Sequence, residues 1–288
     1  SKGVQITSDA IFLAIEKEIE ILFIDKSGTP KGRVWSPKFG SISTIRKGQL
    51  LFIRSKKAID LIKQLLNSKI ENQQAMLLMM NAPAASQTGI YVNQVISQLD
   101  GFKEKIMSIE GERIGDVSAK FRGWEGYVSK KYFECLNLFL PEKFRFERRS
   151  QHPALDVVNA MLNYGYGVLY GKIEGMLIKV GIDPYAGILH RDEYNRPVLV
   201  YDLIEKYRVW VDYIVYSLVI RGAITEESYS TKEDGSYWLE GLGRRIMIQS
   251  LNDYMDEVVT QNGVSRSRET QMFLFIQNIA QEFKNFKS

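Results

Sequence analysis

The chain has 288 residues, 45% apolar and 25% charged, which excludes a disordered chain, a collagen and a disulfide miniprotein. Lys plus Arg number 38 and Asp plus Glu 34, giving a net charge of +4. That permits nucleic-acid binding without demanding it, because a local patch binds and a total does not. The single cysteine, Cys135, excludes an intrachain disulfide and a thiolate-cluster zinc site and fits a reducing, cytoplasmic compartment. No run reaches the ~18 apolar residues of a membrane-spanning helix. The best candidate, residues 209–220, is short and carries Asp212. The chain opens without Met and without the charged start and apolar stretch of a signal peptide, so residue 1 reads as a processing, cloning or truncation point.

Thr7 or Ser8 can cap a first helix with an apolar face of Ile11, Phe12, Ala14 and Ile15. Residues 19–25 read as a buried strand, 26–30 as a turn, and Arg33-Val34-Trp35 as a second strand. Two strands and a helix make a poor domain alone, so they join the following helices or end a β-rich domain whose beginning is absent. From about Ser41 the pattern is helical. Residues 45–66 carry apolar positions at helical spacing, 69–80 continue them, and the alanine- and proline-bearing stretch 82–86 breaks them. Helices are predicted over 92–109, over 124–140 with Pro141 as the stop, and over 155–180 with Gly181 as the cap. One helix is then predicted from 198 through 220, a hairpin or loop over 230–238, and helices over 244–259 and 269–286. Residues 261–268 read as a polar, mobile stretch.

Only two histidines are present, His152 and His190. Twelve residues beyond His190 stands Asp202, and three further on Glu205, an i, i+3 pair on one helix face. One imidazole with neighbouring carboxylates suits a hard or borderline divalent ion such as Mg2+ or Mn2+. A solvated helix start beside a histidine satisfies the same spacing. Glu125, in Arg122-Gly123-Trp124-Glu125-Gly126, can equally be an acid placed at a helix N-terminus by the macrodipole. Glu174, between Gly171 and Gly175, is ambiguous in the same way. Residues 143–149 alternate bases with Phe144 and Phe146, a pattern that can track a phosphate backbone or form a basic turn over two core rings. Arg244-Arg245 and the Arg266/Arg268 pair are weaker basic runs. No Walker loop, Rossmann fingerprint, serine elbow or His-Glu-x-x-His pair occurs.

Taken in order, several strings resemble one family. Arg122-Gly123-Trp124-Glu125-Gly126-Tyr127, followed by Tyr132-Phe133, resembles the glutamate motif of CRISPR-associated protein 1, the integrase of CRISPR spacer acquisition. Arg148-Arg149, Pro153, Asp156, Asn159 and Leu162-Asn163-Tyr164-Gly165-Tyr166 resemble its next block. Gly181-Ile182-Asp183-Pro184, Gly187 and His190 look like its histidine motif, and residues 199–208 like its acidic helix. Residues 41–73 are similar to its interdomain helices, with Arg46, Gln49, Lys69, Asn72 and Gln73 in place, and Thr7-Ser8-Asp9-Ala10 resembles the end of its N-terminal β-domain.

The resemblance implies a mainly α protein. Residues 1–40 would be the remnant of an N-terminal β-sandwich-like domain, and 41–288 an all-α catalytic domain. It implies metal ligation by Glu125, His190 and Glu205, with Asp202 a fourth catalytic residue near or in the metal shell. It implies DNA contacts from Lys143, Arg148, Arg149, Asn159, Tyr164 and Tyr166. The implied activity is a Mg2+- or Mn2+-dependent endonuclease and integrase. It would join 3′-hydroxyl ends of captured double-stranded DNA to the CRISPR repeat by transesterification. CRISPR-associated protein 2 would be its partner, the full-length family forms a homodimer, and the location would be cytoplasmic with no membrane association. The competing readings are a non-catalytic helical DNA-binding or assembly subunit of the same fold and an RNA-processing nuclease.

Overall fold

The structure, a computed structural model, describes residues 4–26, 30–34, 43–190, 196–261 and 263–287. The predicted turn residues 27–29, Trp35 and Ser41, and with them the boundary drawn at 40/41, lie outside the described residues. Thr7 opens α1 (Ser8–Glu16), its Oγ1 accepting from the Ala10 N–H at 3.2 Å. Of the predicted apolar face only Ala14 is buried, while Phe12 stands exposed beside Leu13.

β1 (Ile21–Ile24) and β2 (Pro30–Val34) form an antiparallel hairpin with Ile21 opposite Val34. The strand predicted as buried is only partly so, because the hairpin packs one face on α6 (Val157–Val180). Gly171 and Gly175, one turn apart on α6, make that approach possible: a Cβ at the first would run into Leu22, and at the second into Glu20 and Arg33. Glycine inside a helix costs ~1 kcal/mol relative to alanine, and here the close packing is what the cost secures. Arg33 completes the seat, donating to Glu20 at 2.5 Å, to the Gly171 carbonyl at 3.1 Å and to Glu174. Glu174 is thereby assigned to hairpin docking.

The helix expected over 45–66 is two. α2 (Ser43–Ile53) and α3 (Lys56–Met79) part at Ser55, which is extended (φ −99°, ψ 167°) and bonds its Oγ back to the Phe52 carbonyl at 2.7 Å. A side chain that satisfies the backbone locally competes with helix continuation. α4 (Gln87–Ser108) is capped by Ser86, and α5 (Ile114–Leu138) begins well before the predicted Trp124. The Asp116 carboxylate accepts from the Glu112 and Arg113 N–H groups and fixes that earlier start. α3, α4 and α5 pack on one another.

α6 is the central helix. Asp156 caps it by accepting from the Asn159 N–H at 2.7 Å, Gly181 ends it in the left-handed region (φ 89°), and it is buried on nearly every side. A helix apolar all round belongs inside a core. The predicted 198–220 helix breaks into α7 (Val198–Ile204) and α8 (Arg208–Ile220), with Glu205 at the break. A β3–β4 hairpin (Tyr229–Thr231 and Tyr237–Leu239) and α9 (Gly241–Asp256) follow. The stretch expected to be mobile is largely a third hairpin, β5 (Val258–Gln261) with β6 (Val264–Ser267), leading into α10 (Arg268–Asn285). α10 packs on α2. Among the described residues no helix is long and apolar enough to cross a membrane.

Candidate functional site

Four chain segments converge on one polar pocket. Glu125 lies eleven residues into α5, so the helix-terminus explanation of its charge does not apply; the macrodipole acts within the first turn. Its carboxylate accepts from Ser129 Oγ at 2.8 Å and from Lys69 Nζ of α3. Lys69 also donates to Glu205 Oε2 at 2.5 Å. Glu205 Oε1 accepts from Arg208 Nε at 2.8 Å. The i, i+3 spacing of that last pair spans the α7–α8 break and ties the two helices across it.

His190 reaches the pocket from the loop after α6, and side chains of α2, α5 and α7 hold that loop, Arg122 of α5 by donating to the Leu189 carbonyl at 3.3 Å. Gln49 of α2, itself buried, donates to the carbonyls of Asp183 (2.8 Å) and Ala186 (3.1 Å) and accepts from the Asp183 N–H at 3.0 Å. Asp202 of α7 accepts the N–H groups of Ile188, Leu189 and His190 at 2.6, 3.1 and 3.1 Å and bonds His190 Nδ1 at 2.7 Å. Asn72 of α3 donates to the Lys206 carbonyl at 2.8 Å and fixes the turn that carries Glu205. With Nδ1 held by Asp202, the neutral imidazole turns its Nε2 lone pair outward.

The charges are strongly coupled. Burial alone would raise the Glu205 carboxyl, but Arg208 and Lys69 pull it down to about 2. Burial disfavours the Lys69 ammonium, yet Glu205 and Glu125 hold its pKa above the ordinary lysine value. His190 is likewise opposed by burial and raised on balance, chiefly by Asp202.

Lys69, Glu125 and Glu205 line a cavity of about 1220 Å³ that Arg148 and Arg149 also border. His190, Tyr166 and Arg208 stand between it and a second cleft of about 1000 Å³. The walls of that cleft include Lys26, Lys31, Arg46, Tyr164, Tyr185 and Trp238. A groove that combines cations with ring faces suits a nucleic-acid strand.

The residues expected to contact DNA divide. Arg148, Arg149, Tyr164 and Tyr166 line these cavities. Lys143 lines neither and stands 4.9 Å over the Phe144 ring. Phe144 and Phe146 are core rings. Asn159 is fully buried, accepting from Arg149 and the Ser150 N–H and donating to the Arg148 carbonyl and Asp156; it braces the arginine loop. Asp202 is also fully buried, with both oxygens committed to the histidine loop, so it orients His190 and does not face the cavity.

Two parts of the site escaped the sequence reading. Lys69 was noticed only as part of a string, since spacing gives no hint that a residue 56 positions before Glu125 lies against it. Asp212 figured only as a charge in an apolar run. It is buried under the site, accepts a hydrogen bond from Tyr166, and is pushed up to about 6 by burial despite Tyr166 and Arg149. Tyr166 in turn lies under the Arg208 guanidinium, 4.8 Å from the ring centre. A lone acid inside an apolar helical stretch was the available signal.

Comparison with known proteins gives the family and the fold. Residues 1–253 match the family described as CRISPR associated protein Cas1. The chain belongs to the Cas1 family. Its relative "CRISPR-associated endonuclease Cas1 1" of Archaeoglobus fulgidus is 32% identical over 269 residues, 90% of this chain and 77% of the relative. The fold is similar to that of a casposase bound to its integration product, with a TM-score of 0.82 at 20% identity, covering 99% of this chain and 77% of that one. It is also similar to a chain of a Cas6-RT-Cas1–Cas2 complex, with a TM-score of 0.78 at 23% identity, covering 97% of this chain but 30% of that one. The mainly α architecture of this Cas1 chain, with a small β hairpin near its start, accords with those folds.

Proposed function

We propose that this Cas1 protein is a metal-dependent DNA endonuclease and integrase of CRISPR spacer acquisition, acting on double-stranded DNA with Cas2 as its partner. The observation that carries the reading is the pairing of Glu125 with Glu205 across one pocket, with His190 at its rim and a cation-and-aromatic cleft leading away. The donor set fits Mg2+ or Mn2+: two carboxylates and an imidazole whose second nitrogen is tied back. The same spot already accommodates positive charge, because the Lys69 ammonium bridges both carboxylates. Glu125, His190 and Glu205 would hold the ion, which when bound supplies Lewis-acid activation of a hydroxyl and charge stabilisation at phosphorus.

The chain's own residues do the rest. Asp202 holds Nδ1 of His190, so the imidazole presents Nε2 in one orientation. Arg208 keeps Glu205 ionised and fixed. Arg148 and Arg149 border the pocket where a scissile phosphate would lie, with Arg149 pre-oriented by Asn159 and Asn163. A donor strand running along the tyrosine- and arginine-lined cleft would bring its 3′-hydroxyl to the pocket. The reaction is a displacement at phosphorus: the 3′-oxygen forms the new ester as its proton passes to solvent, and the old 3′-oxygen leaves and takes a proton from solvent.

The test is strand transfer of a short double-stranded donor with free 3′-hydroxyls into a supercoiled repeat-bearing plasmid, with Cas2 and with or without Mn2+. His190→Ala and Glu125→Ala run beside the wild type. Metal-dependent joining lost in both variants, with DNA binding retained, is the expected result. Binding without joining in any form refutes the enzyme and leaves an assembly subunit. Preference for RNA in a competition arm refutes the substrate.

A further inference from the structure

Lys69 is a site group whose placement the proposed chemistry does not explain. Its side chain is 4% exposed, and both of its strong partners are carboxylates proposed to hold the ion. Among the described residues no three His, Cys, Asp or Glu side chains converge into a ready metal cluster, and the ammonium stands between two of the groups that would form one. An ammonium and a divalent ion cannot share that space, since like charges a few ångströms apart in a buried pocket repel strongly. Arrival of the ion therefore requires Lys69 to leave. One turn further along α3, on the same face and bordering the same cavity, Gln73 Oε1 is buried and has no hydrogen-bond partner among the described residues. An orphaned buried acceptor is costly and calls for an explanation.

We propose that Lys69 is an internal substitute for the metal: it neutralises Glu125 and Glu205 in the cation-free protein and moves to Gln73 when the ion binds. This rests on the metal reading above and adds its regulation. The displacement lowers apparent metal affinity in proportion to the fraction of molecules in the open state. It also keeps Glu125 from facing Glu205, which Arg208 already pairs, without a cation of its own before metal and substrate arrive together.

The experiment is calorimetric titration of the metal-stripped full chain with MnCl2, paired with thermal melts with and without Mn2+. Lys69→Met should bind Mn2+ about tenfold more tightly, roughly 1.4 kcal/mol. Its metal-free form should melt lower than wild type and recover with Mn2+. Lys69→Gln, which keeps a polar side chain, should shift affinity in the same direction and serves if the methionine variant does not fold. Gln73→Met should weaken Mn2+ binding in the wild-type background and have no effect beside Lys69→Met, a coupling that a merely structural glutamine would not produce. Wild-type affinity, or weaker, in both Lys69 variants overturns the substitution while leaving the metal site standing. Absence of Mn2+ binding in every form, or binding unchanged by Glu125→Gln, overturns the metal reading itself and this inference with it.

Discussion

Gly48→Ala gives the sharpest test of how the outer helices support the site. In an isolated helix this change stabilises by ~1 kcal/mol, because alanine is the better helix former. Here α2 and α10 cross at Gly48, and an added Cβ would stand 1.8 Å from the Phe283 carbonyl oxygen and 2.8 Å from its carbon. The obstacle is backbone, which cannot rotate aside. Reaching the 3.0 Å limit that real Cβ atoms respect means opening the helices by roughly 1.2 Å, and a gap of that order forfeits about half of each dispersion contact across it. The contacts at risk are those of Phe52, whose ring lies 5.0 Å from Phe283 and 5.4 Å from Phe286. Overpacking costs about 1–3 kcal/mol, and a rigid obstacle puts this case near the top of that range. Set against the gain in helix propensity, the net loss is about 2 kcal/mol, or a fall of about 3 °C in Tm for a chain of this size. Gly101→Ala in α4, where nothing lies within 4 Å of the new carbon, is the control and should stabilise by up to ~1 kcal/mol. Melts followed by circular dichroism decide the matter. A Gly48→Ala protein as stable as wild type, or more so, would refute the packing argument.

Gln49→Ala removes three hydrogen bonds from the loop that carries His190; it should cost about 1–3 kcal/mol and speed amide exchange at residues 183–190, and unchanged exchange there would show that Asp202 and Arg122 hold the loop without it. Asp212→Asn probes the acid beneath Tyr166. Its carboxyl is raised from 3.8 to about 6 by burial, so the folded state holds the proton more tightly than the unfolded one between those values. The stability that this proton confers is complete below pH ~4 and lost as pH rises through ~6, a span worth about 3 kcal/mol. The asparagine variant lacks this dependence, so denaturant melts at pH 4 and pH 7 should show its stability relative to wild type improving with pH, and a constant difference would refute the assignment.

Legibility in the sequence followed the range of the interaction. Caps were readable because they act over three or four residues: Thr7 before α1, Gly181 after α6, and Pro141 beyond α5 all act where the pattern put them. Breaks were not: Ser55 turning on its own backbone parts α2 from α3, and Asn72 holds the α7–α8 turn from 134 residues away, so both pairs read as continuous helices. The start of α5 was missed because Asp116 caps it from inside the helix, ahead of the strong apolar positions. At the site, the order of strings brought out Glu125, His190, Asp202 and Glu205. The division of labour among them was hidden, since whether a carboxylate faces a cavity or is spent on backbone N–H groups depends on tertiary burial. Asp202 and Asn159 carry the same composition signal as a ligand and a DNA contact, yet both are enclosed and fully bonded.

That division also explains why the pocket depends on helices that contribute nothing to its lining. His190 stands on a loop without regular structure, and a loop has no periodic hydrogen bonding to fix it. Its position is set by Asp202 and Arg122 near the histidine and by Gln49 at the start of the loop. Gln49 is held because α2 is held, and α2 is pressed against α10 through the glycine contact at Gly48 and the ring cluster at Phe52. α10 lies wholly beyond residue 253, where the Cas1 family match ends. The geometry of the histidine is thus supported from a segment outside that match. A perturbation at the α2–α10 crossing should therefore reach the chemistry through Gln49, lowering metal-dependent joining together with stability, whereas the Gly101 control should leave joining unchanged.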